Sequence, residues 1–186
     1  MDPLLELTVA WALAVLFAAS VTHKLVALAE WPGVVRNYRL LPEAFTATFA
    51  GAQLIAGALT AAALLWAATR RIGAYAAAAQ LIVFAAAIAI NLRRGRRSID
   101  CGCFGSRLRQ GLSAWMVARN LILALLALGL LLPGRPRELS ALDIAAALAV
   151  VATLSFLYPV LAVVLRPPPA TFAENFEASS AARQAH

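Results

Sequence analysis

The chain has 186 residues, of which 62% are hydrophobic and only 13% are charged, and its formal net charge is +7. In soluble domains about a quarter of all residues are charged. This composition and a mean hydropathy of +0.79 therefore exclude an ordinary soluble domain. Because the arginines stand in short segments between apolar stretches, the positive charge indicates orientation in a membrane rather than binding of nucleic acid.

Five apolar stretches have roughly the 20 residues that a membrane-spanning helix requires. In chain order they cover residues 4–24, 44–69, 74–92, 115–132 and 141–165. The first stretch carries Asp2 and Glu6 in place of the basic start of a signal peptide, so it is expected to be a retained helix. The sequence predicts an all-α fold, a polytopic membrane helix bundle with four to five transmembrane helices. This transmembrane domain is expected at 1–165, followed by a polar, disordered tail at 166–186.

Several polar and aromatic residues fall inside or beside these stretches. Gln53 and Gln80 lie within predicted spans, where such side chains usually form hydrogen bonds between helices. The tryptophans stand mostly near the ends of spans, as anchors at the membrane interface do; they are Trp11, Trp31, Trp66 and Trp115. These residues are therefore interpreted as structural.

Basic residues are distributed unevenly between the two sides of the predicted bundle. One side carries Arg70, Arg71, Arg135 and Arg137. The other side carries Lys24, Arg36, Arg39, Arg93, Arg94, Arg96, Arg97, Arg107, Arg109, Arg166 and Arg183. The positive-inside rule places the second side in the cytoplasm and the N-terminus outside. The same second side receives most of the unusual polar residues of the chain, which also include His23, Asn37, Tyr38, Asn91, Arg119 and Asn120.

The two cysteines of the chain are separated by one residue, in the segment Cys101-Gly102-Cys103-Phe104-Gly105 on that arginine-rich side. Gly102 and Gly105 permit positive φ angles, and Phe104 can dip into the apolar phase. The start of the fourth predicted span follows, with Ser113 as a candidate N-cap. This segment is the strongest candidate for a site.

Thiol–disulfide exchange is the first function that this segment predicts. Nearby positive charge and helix N-termini favour the reactive thiolate, and Lys24, Arg119 and Arg39 are candidates to stabilise it or to close the site. A disulfide between Cys101 and Cys103 would close a small, strained ring, which makes such a bond easy to reduce. Cys101 and Cys103 are therefore predicted as the catalytic pair.

Binding or transport of a soft metal ion by the same two cysteines is the alternative. Two thiolates can hold Cu(I) or Hg(II) at a low coordination number. Structural zinc needs four ligands, for which the chain offers His23, His186 and Asp100 beside the cysteines, so zinc is not expected. A third interpretation is an assembly factor whose loop only docks a partner, without thiol chemistry.

Four features in this order resemble the methylamine utilisation protein MauE family, a relative of the DoxX/DoxD-like membrane proteins. They are Lys24 at the end of the first helix, the stretch from Asn37 through Tyr38 and Arg39 to Pro42, the Cys-Gly-Cys-Phe-Gly segment, and the pair Arg119-Asn120. The likeness covers about residues 5–135.

This resemblance implies a bundle of four or five helices in a bacterial inner membrane. It further implies a role in maturing the disulfide-rich small subunit of methylamine dehydrogenase beside a periplasmic thioredoxin-like protein. The expected partners are thus a thioredoxin-like redox protein and the lipid bilayer, with no nucleic acid. The sequence identifies no cofactor. The DoxD-like relatives suggest a quinone, but no quinone site can be identified in the sequence. A soft metal ion belongs to the alternative function described above.

Overall fold

The computed structural model describes residues 2–96, 112–133 and 138–164, with side chains as far as residue 157. These residues form six helices and no strand. The chain divides into two units, Met1–Ala152 and Thr153–His186. The described residues of the candidate site lie in the first unit.

Helix α1 (Pro3–Val26) matches the first predicted span. The carboxylate of Asp2 caps it by accepting a hydrogen bond of 2.8 Å from the backbone N–H of Leu4, and a proline in the first turn suits its start. The next helix, α2 (Trp31–Asn37), is short and was not predicted, because it lies in the segment between the first two predicted spans.

Helices α3 (Glu43–Leu65) and α4 (Arg70–Arg93) form an antiparallel pair joined by a tight turn. The Thr69 hydroxyl stabilises this turn with a hydrogen bond of 3.0 Å to the carbonyl of Ala63. Close approach depends on Gly73, where an added Cβ would stand 2.9 Å from the backbone nitrogen of Leu64. The predicted bonding between helices is confirmed, since Gln53 Nε2 donates to Gln80 Oε1 at 2.9 Å.

Helices α5 (Ala114–Gly129) and α6 (Ala141–Val164) complete the described chain. Ser113 occupies the N-cap position of α5 with extended backbone, as predicted, although its side chain makes no capping hydrogen bond. Ser140 and Asp143 form a reciprocal cap at the start of α6, with bonds of 2.8–3.2 Å.

The fold class predicted from the sequence is confirmed as a polytopic membrane helix bundle. Within the described part of the chain, three helices, α1, α3 and α4, are long and apolar enough to span a bilayer, and two shorter apolar helices cover Ala114–Gly129 and Ala141–Leu157. Many large apolar side chains point outward, among them Ile55, Leu59, Ile72, Val83 and Leu125. Such an apolar exterior requires a lipid environment.

One ion pair fixes the direction of the helices. Arg70 at the start of α4 lies 2.9 Å from Glu6 at the start of α1, so these two helices run in parallel. Helix α3 runs in the opposite direction, because a short turn joins its end to the start of α4. Helix α5 does so too, because Met116 near its start packs against Ile88 near the end of α4. The bundle therefore has two ends, and we call the one formed by the carboxyl ends of α1 and α4, by α2 and by the amino ends of α3 and α5 the Lys24 end.

Candidate functional site

Lys24, the single lysine among the 186 residues, lies in the last turn of α1 and is only 6% exposed. Its Nζ atom is 4.6 Å from the centre of the Trp31 ring and 5.1 Å from the centre of the Phe84 ring. Contacts within about 6 Å over an aromatic face attract a cation by roughly 0.5–2 kcal/mol each. A lysine that merely snorkels keeps its ammonium in water, so the burial of Lys24 indicates a built site.

Trp31 holds one wall of this site. Its indole Nε1 donates a hydrogen bond of 3.1 Å to the carbonyl of Ala50 in α3, and the side chain is buried. The prediction of an interfacial anchor is therefore wrong for Trp31, whereas Trp66 and Trp115 are largely exposed. The physical reason is α2 itself, which turns the chain inward at Trp31.

Tyr38 ends α2 and packs between two other helices. It forms a buried apolar cluster with Ile88 of α4 and with Leu112 and Met116 at the start of α5. The next residue, Arg39, is exposed and has a left-handed backbone with φ of 49°. Its carbonyl accepts a hydrogen bond of 3.3 Å from the guanidinium of Arg94. This turn thus ties α2 to the end of α4.

The carboxyl end of α4 is closed by a cap that involves Asn91, Gly95 and Arg96. The backbone N–H of Arg96 bonds to the carbonyl of Asn91 and that of Gly95 to the carbonyl of Leu92, both at 3.0 Å. With Gly95 at φ of 71°, this is the Schellman arrangement. Asn91, fully buried, also accepts a bond of 3.3 Å from the guanidinium of Arg96.

Helix α5 contributes Arg119 and Asn120 one turn after Met116. Arg119 is half-buried. Asn120 is 4% exposed, and its amide nitrogen Nδ2 has no hydrogen-bond partner among the described residues. A buried amide N–H without an acceptor costs about 1–3 kcal/mol, which makes Asn120 a candidate donor to an acceptor outside the described part of the chain.

The chain leaves this same end of the bundle toward the cysteines. Cys101 follows Arg96 by five residues, and Leu112 follows Cys103 by nine. Cys101, Gly102, Cys103, Phe104 and Gly105 lie outside the described residues, so their predicted roles stay predictions. The structure places Lys24, Tyr38, Arg39, Arg119 and Asn120 at the same end of the bundle, the Lys24 end. Lys24 contacts Trp31 and Phe84, whereas Tyr38 packs against Met116, one turn before Asn120.

Two residues of the site were not predicted as part of it. Phe84 is one apolar residue within a long apolar helix, so nothing in the sequence distinguishes it. Trp31 could have been found, since a proline directly after it is a signal for the start of a helix. A helix there would have predicted that the indole turns toward the bundle.

Comparison with known proteins identifies the family. The family model described as methylamine utilisation protein MauE matches residues 2–133. The Methylamine utilization protein MauE of Paracoccus denitrificans is 44% identical over 133 residues, which are 69% of this chain and 72% of that protein. The MauE protein of Paracoccus versutus is 42% identical over 128 residues (69% of each chain), and that of Methylorubrum extorquens 39% over 137 residues (73% and 74%). No solved structure matches. The resemblance inferred from the sequence is confirmed, and the chain belongs to the methylamine utilisation protein MauE family.

Proposed function

We propose that this protein serves methylamine utilisation as a membrane thiol–disulfide exchange protein, through Cys101 and Cys103 and a thioredoxin-like partner. The observation that supports it most is the burial of the single lysine between two aromatic rings, at the end of the bundle from which the cysteine segment departs. Membership of the MauE family supports the link to methylamine. Nearby positive charge favours a thiolate, and Lys24 and the arginines of this end carry such charge.

The bonds and electrons of this exchange balance with the two proteins alone, without a further reactant. One cysteine thiolate attacks a sulfur of the partner's disulfide, which forms a mixed disulfide and releases the partner's second sulfur as a thiolate. The other cysteine then attacks the mixed disulfide, which yields a Cys101–Cys103 disulfide and a partner dithiol. Two electrons pass from this chain to the partner, and the reverse sequence returns them. The difference in reduction potential sets the direction, so the step uses neither a quinone nor a metal ion.

The arginines at the Lys24 end indicate how the protein is oriented in the membrane. Arg36, Arg39, Arg93 and Arg94 are all exposed there, and the positive-inside rule favours a cytoplasmic location for such an end in a bacterial inner membrane. A periplasmic partner then requires that the cysteine segment be reachable from the periplasm. Labelling of intact cells with a membrane-impermeant maleimide, with and without prior reduction, reports which side the thiols face.

The experiment that tests the function replaces each cysteine in a methylamine-utilising bacterium that lacks its own copy of the protein. We expect Cys101→Ser and Cys103→Ser to leave the thioredoxin-like partner in the redox state of the deletion strain, although both variants insert in the membrane. Ser106→Ala, a nearby change that removes no thiol, should restore the wild-type redox state. A wild-type partner redox state in either cysteine variant contradicts the proposal. Stoichiometric Cu(I) binding that needs both cysteines, without any mixed disulfide, supports the soft-metal alternative.

A further inference from the structure

Four exposed arginines lie at the Lys24 end, on two segments that are bonded to each other. They are Arg36 in the last turn of α2, Arg39 just beyond that helix, and Arg93 and Arg94 at the end of α4. The backbone N–H of Arg39 donates to the carbonyl of Arg36 at 3.0 Å, and the Arg94 guanidinium donates to the carbonyl of Arg39 at 3.3 Å. These bonds hold the two segments together, and we call the four residues the arginine patch.

The positive charge of the arginine patch is not paired with carboxylates in the described part of the chain. Glu30 and Glu43 lie at the same end and are exposed, yet the ion pair found among the described residues joins Arg70 and Glu6 at the opposite end. Like charges repel, so a cluster of arginines is unfavourable unless an anion neutralises it. The arginine patch therefore favours an anion from outside the chain.

The backbone of Arg39 indicates that its side chain has a role. Its φ is 49°, in the left-handed region that is unfavourable for any residue with a Cβ and that glycine adopts freely. The negative end of a helix dipole accounts for arginines in the last turns of α2 and α4, but Arg39 lies beyond Tyr38, the C-cap residue of α2. Neither local conformation nor the helix dipole explains an arginine at this position.

Exposed apolar side chains follow Arg39 directly. Leu40, Leu41 and Phe45 are 37%, 38% and 62% exposed. Exposed apolar groups in contact with cationic ones match the two parts of a phospholipid, whose acyl chains are apolar and whose phosphate is anionic. A small soluble anion would engage only the cationic part of this surface.

We propose that the arginine patch binds the headgroup phosphate of an anionic phospholipid, whose acyl chains lie against Leu40, Leu41 and Phe45. Guanidinium groups suit this ligand, because their planar fork of N–H donors matches the oxygens of a phosphate. Basic clusters beside membrane helices recognise anionic headgroups in this way. Binding at this patch goes beyond thiol–disulfide exchange and does not depend on the cysteines.

Lipid binding to the full chain tests this proposal. The protein in detergent micelles is titrated with phosphatidylglycerol or with phosphatidylcholine of the same acyl chains, and bound lipid is counted by native mass spectrometry. We expect the wild type to bind phosphatidylglycerol at least about tenfold more tightly than phosphatidylcholine. Arg39→Gly and Arg94→Gln should each weaken the binding of phosphatidylglycerol about fivefold, because each removes one charge near the headgroup.

Two features of the design separate a site from general charge and from misfolding. Arg71→Gln removes an exposed arginine at the opposite end, so it should leave the affinity for phosphatidylglycerol unchanged. Arg39→Gly relieves the left-handed backbone, so it should keep the helicity and the unfolding temperature of the wild type while it weakens lipid binding. Arg39→Lys, which keeps the charge, should bind more tightly than Arg39→Gly.

The contrary outcomes are equally definite. Equal affinity for the two lipids overturns the proposal, and so does wild-type affinity for phosphatidylglycerol in both Arg39→Gly and Arg94→Gln. An equal loss in Arg71→Gln would show that net charge, rather than this patch, attracts the lipid. Displacement of phosphatidylglycerol by an equal concentration of inorganic phosphate would show a plain anion site and would contradict the assigned role of the apolar side chains.

Discussion

Arg96 folds back onto Asn91 at the end of α4, with one hydrogen bond from its guanidinium at 3.3 Å and one from its backbone N–H at 3.0 Å. Asn91 is fully buried, so these bonds fix the point at which the chain leaves the bundle toward Cys101. The last residues described before the cysteine segment are therefore held against α4, and the left-handed Gly95 turns the chain there.

Gly95→Ala tests this turn. An L-residue in the left-handed region costs roughly 1–2 kcal/mol, and a Cβ at Gly95 would meet no atom within 4 Å, so conformation alone causes the loss. We expect a loss of about 1–2 kcal/mol in the free energy of unfolding, measured by denaturant titration in detergent micelles. Gly129→Ala is the matched control, because Gly129 is helical with equally open space and should not destabilise. Equal effects of both changes would show that φ at Gly95 carries no cost.

Gly73→Ala tests the contact between α3 and α4. The added Cβ would lie 2.9 Å from the nitrogen of Leu64 and 3.0 Å from the carbonyl carbon of Ala63, both backbone atoms that cannot turn aside. Overpacking of this kind costs typically 1–3 kcal/mol, which should appear as a lower unfolding temperature of the reconstituted protein. Gly51→Ala, in α3 with open space around the new Cβ, should not lower it. A tolerated Gly73→Ala would contradict the close approach of the two helices.

Gln53 and Gln80 allow a double-mutant cycle inside the membrane. The amide oxygen of Gln80 accepts the hydrogen bond from Gln53. The amide nitrogen of Gln80 donates another, of 2.7 Å, to the hydroxyl of Thr60. Hydrogen bonds between membrane helices couple by about 0.6 kcal/mol on average. We expect Gln53→Leu and Gln80→Leu to show a coupling energy near that value, with thiol exchange unaffected. Loss of exchange in Gln53→Leu would show instead that these glutamines take part in the function.

Asn120→Leu distinguishes a structural from a functional amide. Because Nδ2 has no acceptor among the described residues, its replacement by an apolar side chain should not reduce stability and can raise it. If this N–H serves the thiol site, the rate of exchange with the partner should fall at least about tenfold. Asn37→Ala, at an exposed asparagine of α2, is the control. An unchanged rate of exchange in a stabilised Asn120→Leu variant would show that Asn120 is not part of the thiol site.

The sequence predicted the long helices correctly because their apolar stretches have the length that a bilayer demands. It also predicted that Gln53 and Gln80 form hydrogen bonds between helices, since a polar side chain in a span must find a partner, but their bond to each other is seen only in the structure. Helix α2 escaped prediction, because seven residues give no periodic pattern. The aromatic site escaped with it, because Trp31 belongs to α2 and because Phe84 is far from Lys24 in the sequence, so that only tertiary packing brings it to the lysine.

Thiol exchange itself is tested most directly by trapping a mixed disulfide. Reduced full-length protein in bilayers is mixed with an oxidised thioredoxin-like partner and quenched in acid, and the products are separated without reductant. We predict that Cys101→Ser or Cys103→Ser accumulates a covalent complex through its remaining cysteine, that the wild type instead releases reduced partner, and that the double variant does neither. Absence of any covalent complex, with the partner still oxidised after incubation with the wild type, would contradict the account.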